Sequence, residues 1–138
     1  MSIDTKLVEK AITEAELQTS GEIRVHIESH CPSDVMDRAS VVFSALKMHK
    51  TQARNGVLIY LSTQDRKFAI LGDGGINAVV ADDFWQSTYD IALPLLKDGN
   101  WTEALCRTLH SCGEQLKAHF PYQKGDIDEL DNTVSWGD

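Results

Sequence analysis

The chain has 138 residues, of which 42% are hydrophobic and 25% charged, and its formal net charge is −8. This length fits one domain with its own core, and the composition is that of a globular protein. Because the negative charge repels phosphate backbones and anionic headgroups, we expect neither a nucleic acid nor a membrane as a partner, whereas cations are attracted.

The first part of the chain predicts two helices and a strand. Apolar residues recur every three or four positions from Ile3 to Ala15, which predicts a helix capped by Ser2. Residues 22–28 alternate between apolar and polar side chains, which predicts a half-buried strand nearer the edge than the middle of its sheet. Asp34 is placed to cap a second helix.

The middle of the chain predicts a hairpin. Residues 56–61 are apolar on both faces, as in a central strand, and a second apolar run at residues 67–72 follows so closely that the two should be antiparallel. A third helix is predicted to begin at Asp82 or Asp83 and to bend or stop before Pro94.

The last predicted element is a fourth helix, which begins at Asn100 with Glu103 in a capping-box arrangement. We expect residues 1–121 to form a single domain and residues 122–138 to be an acidic, loosely held tail. The order of elements predicts an α/β fold, with a small mixed β-sheet sandwiched between helices. The first two strands should be parallel through a right-handed crossover.

The predicted topology gathers polar residues at one end of the sheet. Parallel strands begin at the same end, and an antiparallel partner ends there. Glu22 opens the first strand, Arg54 and Asn55 precede the second, and Gly72 and Asp73 close the third. We therefore expect these residues to meet beside a glycine turn that allows close backbone approach.

Carboxylates gathered in this way predict an oxygen-ligand site for Ca²⁺ or Mg²⁺, with Glu22 and Asp73 as ligands. Asp82 and Asp83, at the start of the next helix, are further metal-ligand candidates. The alternative is a structural charge cluster, in which Arg54 pairs with Glu22 or Asp73.

The same segments resemble the TPM domain family, which includes thylakoid-lumen phosphatase-like proteins, photosystem II repair factors and many bacterial proteins. The resemblance covers about residues 3–121 and implies an α/β sandwich, a possible divalent-cation site, and the acid-phosphatase activity claimed for some members. Its matching positions are Glu22, Arg54, Asn55, Gly72 and Asp73. The segments that carry it are residues 19–25, 54–61, 68–76 and 84–85.

We therefore expect a TPM-like domain of accessory or unknown cellular role that binds a divalent cation or a small ligand at this end of the sheet and needs no organic cofactor. The alternatives are a metal-assisted phosphomonoesterase, in which Arg54 steadies the phosphate, and a protein-interaction module that uses the tail. The sequence contains no P-loop and no nucleophile elbow, so an enzyme would need metal-activated water. No catalytic residue is assigned.

The cysteines and the N-terminal residues predict a cytoplasmic location. Cys31, Cys106 and Cys112 are an odd number without CxxC spacing, which indicates free thiols in a reducing compartment. The first residues contain no continuous apolar run of the kind found in export signals. His26 and His30 lie near Cys31 but follow no usual zinc-ligand spacing.

Overall fold

The computed structural model describes residues 3–122 and 133–137. A short 3₁₀ turn at Met48–Lys50 precedes the second strand. In chain order the elements are α1 (Thr5–Glu16), β1 (Glu22–Glu28), α2 (Val35–Ala45), β2 (Gly56–Ser62), β3 (Lys67–Gly72), α3 (Gly74–Asn77), α4 (Phe84–Lys97), α5 (Trp101–His119) and β4 (Ser135–Trp136).

The strands form one mixed sheet in the order β3-β2-β1-β4. β1 and β2 are parallel, with Glu22 opposite Gly56 and Glu28 opposite Ser62. β2 and β3 form the antiparallel hairpin, with Val57 opposite Gly72. The predicted α/β fold, the parallel pair and the hairpin are confirmed.

Helices cover both faces of the sheet. Val57, Ile59 and Leu61 of β2 belong to the larger core, which packs against α1, α4 and α5. Leu58 and Tyr60 point to the opposite face and belong to a smaller core under α2. Every residue of β2 is buried, so the prediction of a central strand is confirmed.

The prediction that β1 lies near an edge is wrong, because β1 lies between β2 and β4. Glu22, His26 and Glu28 form part of the polar face that suggested contact with water, yet all three are buried. Alternating polar residues usually indicate a solvated face. Here His26 and Glu28 instead bond to each other and to neighbouring side chains.

The C-terminal residues add a strand that the sequence does not predict. Ser135 lies opposite His26 in parallel pairing, and the Gly137 N–H donates to the Ile27 carbonyl at 2.7 Å. Val134 is buried, and its N–H donates to the carboxylate of Glu9 at 2.8 Å. The expectation of a loosely held tail is therefore wrong for residues 133–137, whereas residues 123–132 lie outside the described part of the chain.

The start of α2 agrees with the sequence, and that of α1 differs. α2 begins after Asp34, whose carboxylate accepts from the N–H groups of Met36 and Asp37, as predicted. The cap of α1 is Asp4, which accepts from the Leu7 N–H at 3.1 Å. The predicted cap, residue 2, lies outside the described residues.

The third predicted helix does not stop before Pro94, because α4 runs on to Lys97; a bend at Pro94 stays a prediction. Proline removes one N–H, but Pro94 lies in the last turn, and its carbonyl still accepts from the Asp98 N–H at 3.2 Å. Ala92 and Leu96 lie on either side of it and are buried in the larger core, which holds this turn in place.

The predicted start of α5 is correct, but the predicted capping box is not formed. Asn100 is the cap residue, yet its side chain makes no capping hydrogen bond. Glu103 instead accepts from the Nε of Arg107 at 2.7 Å, one turn further along. Within the described residues, no helix combines the length and the apolar character needed to cross a membrane.

Candidate functional site

Asp73 is the central residue of the predicted site. Arg54 donates to both of its carboxylate oxygens, from Nε to Oδ2 at 2.8 Å and from Nη2 to Oδ1 at 2.8 Å. The Gly74 N–H donates to the same Oδ1 at 2.7 Å, so Asp73 also caps α3. The structure thus shows the Arg54–Asp73 ion pair that the alternative interpretation expects.

The two partners of this pair differ in exposure. Asp73 is 7% exposed, whereas 57% of the Arg54 side chain is exposed. The guanidinium lowers the pKa of Asp73 below its ordinary value, against the effect of burial, and the pKa of Arg54 rises in turn. A buried carboxylate is therefore kept ionised by a cation that lies mostly in solvent.

The backbone around Arg54 is tightly constrained. Arg54 has φ 53°, in the left-handed region, which costs free energy for a residue that carries a Cβ. The Gly75 N–H donates to the Arg54 carbonyl at 2.7 Å. A Cβ on Gly75 would lie 2.6 Å from that same carbonyl oxygen, so only glycine permits the approach.

The other predicted residues of the strand ends are also at this position. The Glu22 N–H donates to the Asn55 carbonyl at 3.4 Å, and the Asp73 N–H donates to the Gly56 carbonyl at 2.9 Å. The side chain of Asn55 is buried and donates to the Ser20 carbonyl at 3.4 Å. We call this end of the sheet, formed by Glu22, Asn55 and Asp73, the Asp73 end.

Gly72 has a packing role at the Asp73 end. A Cβ there would lie 2.9 Å from Cη2 of Trp85, and the Gly72 carbonyl accepts from Nδ2 of Asn77 at 2.9 Å. Asp82 and Asp83 are exposed, and among the described residues no hydrogen bond or ion pair joins them to Asp73. The described part of the chain contains no group of three His, Cys, Asp or Glu side chains that could hold a metal ion.

A second charged cluster lies at the opposite end of β1 and is not predicted from the sequence. Glu28 accepts from Arg38 at both oxygens, from Nε at 2.8 Å and from Nη2 at 2.8 Å. Oε2 also accepts from the hydroxyl of Tyr60, and Oε1 lies 3.2 Å from Nε2 of His26. The other ring nitrogen of His26 is 2.9 Å from Oγ of Ser135, on β4.

Mutual contact stabilises the charges of this Glu28 cluster. Arg38 is the largest influence that lowers the pKa of Glu28, from its ordinary 4.5 to about 2. Burial raises the pKa of Tyr60 well above its usual range, with the Glu28 carboxylate as a further cause, and burial lowers the pKa of His26. The cluster is therefore a carboxylate, a guanidinium, a phenol and a neutral imidazole held in contact.

The fold, with charged clusters at both ends of the sheet, defines a small α/β sandwich domain. The family model of the TPM domain matches residues 2–115, and the chain belongs to this family. No curated protein matches the chain.

The solved structures that are similar to the chain include the following two. The BA42 protein from the psychrophilic bacterium Bizionia argentinensis, solved by NMR, is 48% identical, with 96% of this chain and 92% of that chain covered and a TM-score of 0.90. The N-terminal domain of the cg2496 protein from Corynebacterium glutamicum is 16% identical, with 80% and 70% of the chains covered and a TM-score of 0.63. The second likeness shows the fold alone.

Proposed function

We propose that this TPM domain has an accessory binding role, in which a divalent cation binds at the Asp73 end in competition with Arg54. The observation that carries the proposal is the difference in exposure between the two members of the ion pair. Asp73 is 7% exposed, and the cation that neutralises it is a side chain that is 57% exposed. An arginine held in this way occupies the position of a cation and can leave it without unpacking the core.

The residue types suit a hard cation. Ca²⁺ and Mg²⁺ prefer carboxylate and carbonyl oxygens and complete their coordination with water. Asp73 supplies two carboxylate oxygens once Arg54 moves away, and Glu22 lies at the same end of the sheet. Asp82 and Asp83 are exposed candidates on the segment that follows α3. The net charge of −8 adds a general attraction for cations.

The proposed competition between the cation and Arg54 can be tested by removing the charge of Arg54. Replacement of Arg54 by glutamine should strengthen Ca²⁺ or Mg²⁺ binding, because the cation no longer displaces a bidentate ion pair. Asp73→Asn should abolish binding. Isothermal titration calorimetry measures the affinities, and thermal melts should show a stabilisation of about 2.7 kcal/mol at a hundredfold excess over the dissociation constant.

A matched control is Arg107→Gln, since Arg107 is also exposed and is paired with Glu103 on the surface of α5. This variant should bind cations as the wild type does. Equal stabilisation by a monovalent salt of the same ionic strength would indicate general screening and would contradict the proposal. Unchanged affinity in Arg54→Gln would contradict it as well.

We place cation binding ahead of phosphate-ester hydrolysis. A phosphomonoesterase would need the same release of Arg54, whose Nε and Nη2 both donate to Asp73. It would need in addition a phosphate bound to Arg54 and a metal-activated water. A chromogenic phosphate ester, assayed with and without Mg²⁺ or Ca²⁺, decides between the two. Metal-dependent turnover that disappears in Asp73→Asn would favour the enzyme.

A further inference from the structure

The two edges of the sheet differ in what covers them. The outer edge of β1 is occupied by β4 and by Glu16, whose Oε2 accepts from the Ile23 N–H at 2.9 Å. Along β3, at the other edge, no strand pairs among the described residues. A groove of about 610 Å³ follows this edge and includes residues 68–72. We call it the β3 groove.

Backbone groups of β3 point into this groove. The Asp73 N–H bonds to the Gly56 carbonyl, and the antiparallel register then directs residues 67, 69 and 71 toward β2. The N–H and C=O groups of Phe68 and Ile70 are directed the other way. The Gly72 carbonyl is also directed outward but accepts from Asn77, which closes that end of the groove.

Apolar side chains form both walls of the groove. Val35 and Met36 of α2 line one side, and Trp85 and Tyr89 of α4 line the other. Tyr89 packs against Phe68 with ring centroids 5.8 Å apart. The space between the walls runs along the strand, so its shape and its backbone groups suit an extended chain.

Charge distinguishes the two ends of the groove. Asp82 lines it near Gly72, and the exposed Lys67 begins β3 at the other end. An antiparallel strand with a cationic residue near its start and an anionic residue near its end would match this order. A second copy of the chain would bring its own α2 and α4 walls against these ones, so a single peptide strand fits better.

We propose that the β3 groove binds an extended segment of a partner protein as a fifth, antiparallel strand. The segment has a cationic side chain beside Asp82, an anionic one beside Lys67, and apolar side chains between them. Main-chain hydrogen bonds to Phe68 and Ile70 provide the pairing, and the two walls select for apolar residues. The proposal does not depend on cation binding at Asp73.

A synthetic peptide of about seven residues tests the proposal, since that is an ordinary strand length. Its order is lysine, valine, threonine, isoleucine, threonine, valine, glutamate. Titrated into isotope-labelled protein, it should shift the NMR amide signals of Phe68 and Ile70 and the indole signal of Trp85. The signals of Ser135, on the opposite edge strand β4, and of His26, on the adjacent β1, should stay in place.

Two control peptides separate strand pairing from nonspecific adhesion. The same peptide with N-methyl groups on the edge that faces β3 should bind more weakly by about tenfold or more, because its donors are removed. The peptide with lysine and glutamate exchanged should also bind more weakly. In Lys67→Glu the original peptide should lose affinity, and a peptide with lysine at both ends should regain it.

Three results would overturn the proposal. The first is the absence of shifts at Phe68 and Ile70 with the peptide at millimolar concentration. The second is equal binding of the N-methylated peptide, which would indicate adhesion to the apolar walls without strand pairing. The third is concentration-dependent self-association of the protein that the peptide reverses, which would make a second copy the occupant.

Discussion

Two buried carboxylates, Glu28 and Asp73, are each held by a bidentate arginine at opposite ends of the same sheet. In both pairs Nε and Nη2 of the arginine donate at 2.8 Å. The pairs differ in their surroundings. Glu28 has two additional side-chain partners, Tyr60 and His26, whereas the additional contact of Asp73 is the adjacent Gly74 N–H.

The two arginines also differ in how far their side chains are exposed. Arg38 has a 27% exposed side chain and lies against the sheet, whereas that of Arg54 is 57% exposed. An ion pair whose two members are both enclosed is costly to break, because each charge loses its partner in a medium of low dielectric constant. An ion pair with one exposed member can exchange that member for another cation. Glu28 therefore has a structural role, and the exposure of Arg54 supports the exchange that we propose at Asp73.

The largest expected effect is that of Glu28→Gln. This change removes the charge that Arg38 and Tyr60 both contact, so the free energy of unfolding should fall by about 3–5 kcal/mol. Urea unfolding followed by circular dichroism measures the loss. Asp73→Asn is the matched change and should cost only about 1 kcal/mol, since Arg54 can be solvated. Equal losses in the two variants would contradict the assigned difference.

Acid should lower the stability that both buried carboxylates provide. The folded pKa of Glu28 is about 2 against an ordinary 4.5, so its contribution to stability is present above pH 4.5 and is lost as the pH falls toward 2. That contribution amounts to about 3 kcal/mol. The pKa of Asp73 is also lowered, and its contribution is lost on acidification as well.

Protonation of His26 should lower the stability of the protein at a higher pH than protonation of the carboxylates does. Burial is the main cause that lowers its pKa, and the Glu28 carboxylate only partly opposes this effect. The unfolded chain therefore binds a proton more readily, and stability should decline as the pH falls below about 6.5. Urea unfolding from pH 7.5 to 3 measures this decline, and His26→Gln should remove the part near pH 6. A profile that does not change in this variant would contradict the assignment.

Much of the fold could be predicted from the sequence because it depends on apolar spacing. β2 and the apolar face of α5 are identified by their own residues, and Asp34 marks the start of α2. The position of β1 could not be predicted, since alternating polar residues look the same whether they face water or each other. Only the register, which places His26 opposite Tyr60, shows that its polar face is enclosed.

The two ends of the sheet differ in how far the sequence could reveal them. At the Asp73 end, the topology brings together residues next to strand ends, and the order of the chain is enough to place them. The Glu28 cluster joins a strand, the next strand, a helix and residues near the C-terminus. Tyr60 gave a weak indication, because its hydroxyl lies in an otherwise apolar strand and a buried tyrosine hydroxyl needs a hydrogen-bond partner. The identity of that partner depends on the pairing of the strands. Ser135 gives no such signal, because β4 has only two residues.

A glycine substitution beside Arg54 tests how tightly the Asp73 end is built. Gly75→Ala should cost about 1–3 kcal/mol, because the new Cβ would overlap the carbonyl oxygen of Ala53 and lie 2.6 Å from that of Arg54, and backbone cannot move aside as a side chain can. Gly74→Ala is the matched control, since its Cβ would meet nothing within 4 Å, and its cost should be about 0.5 kcal/mol or less. Chemical denaturation of both variants gives the difference. If the two substitutions cost the same, the close approach of Gly75 to Arg54 does not constrain this end. If Gly75→Ala alone destabilises the protein and also alters Ca²⁺ affinity, the backbone under Arg54 determines how readily its side chain releases Asp73.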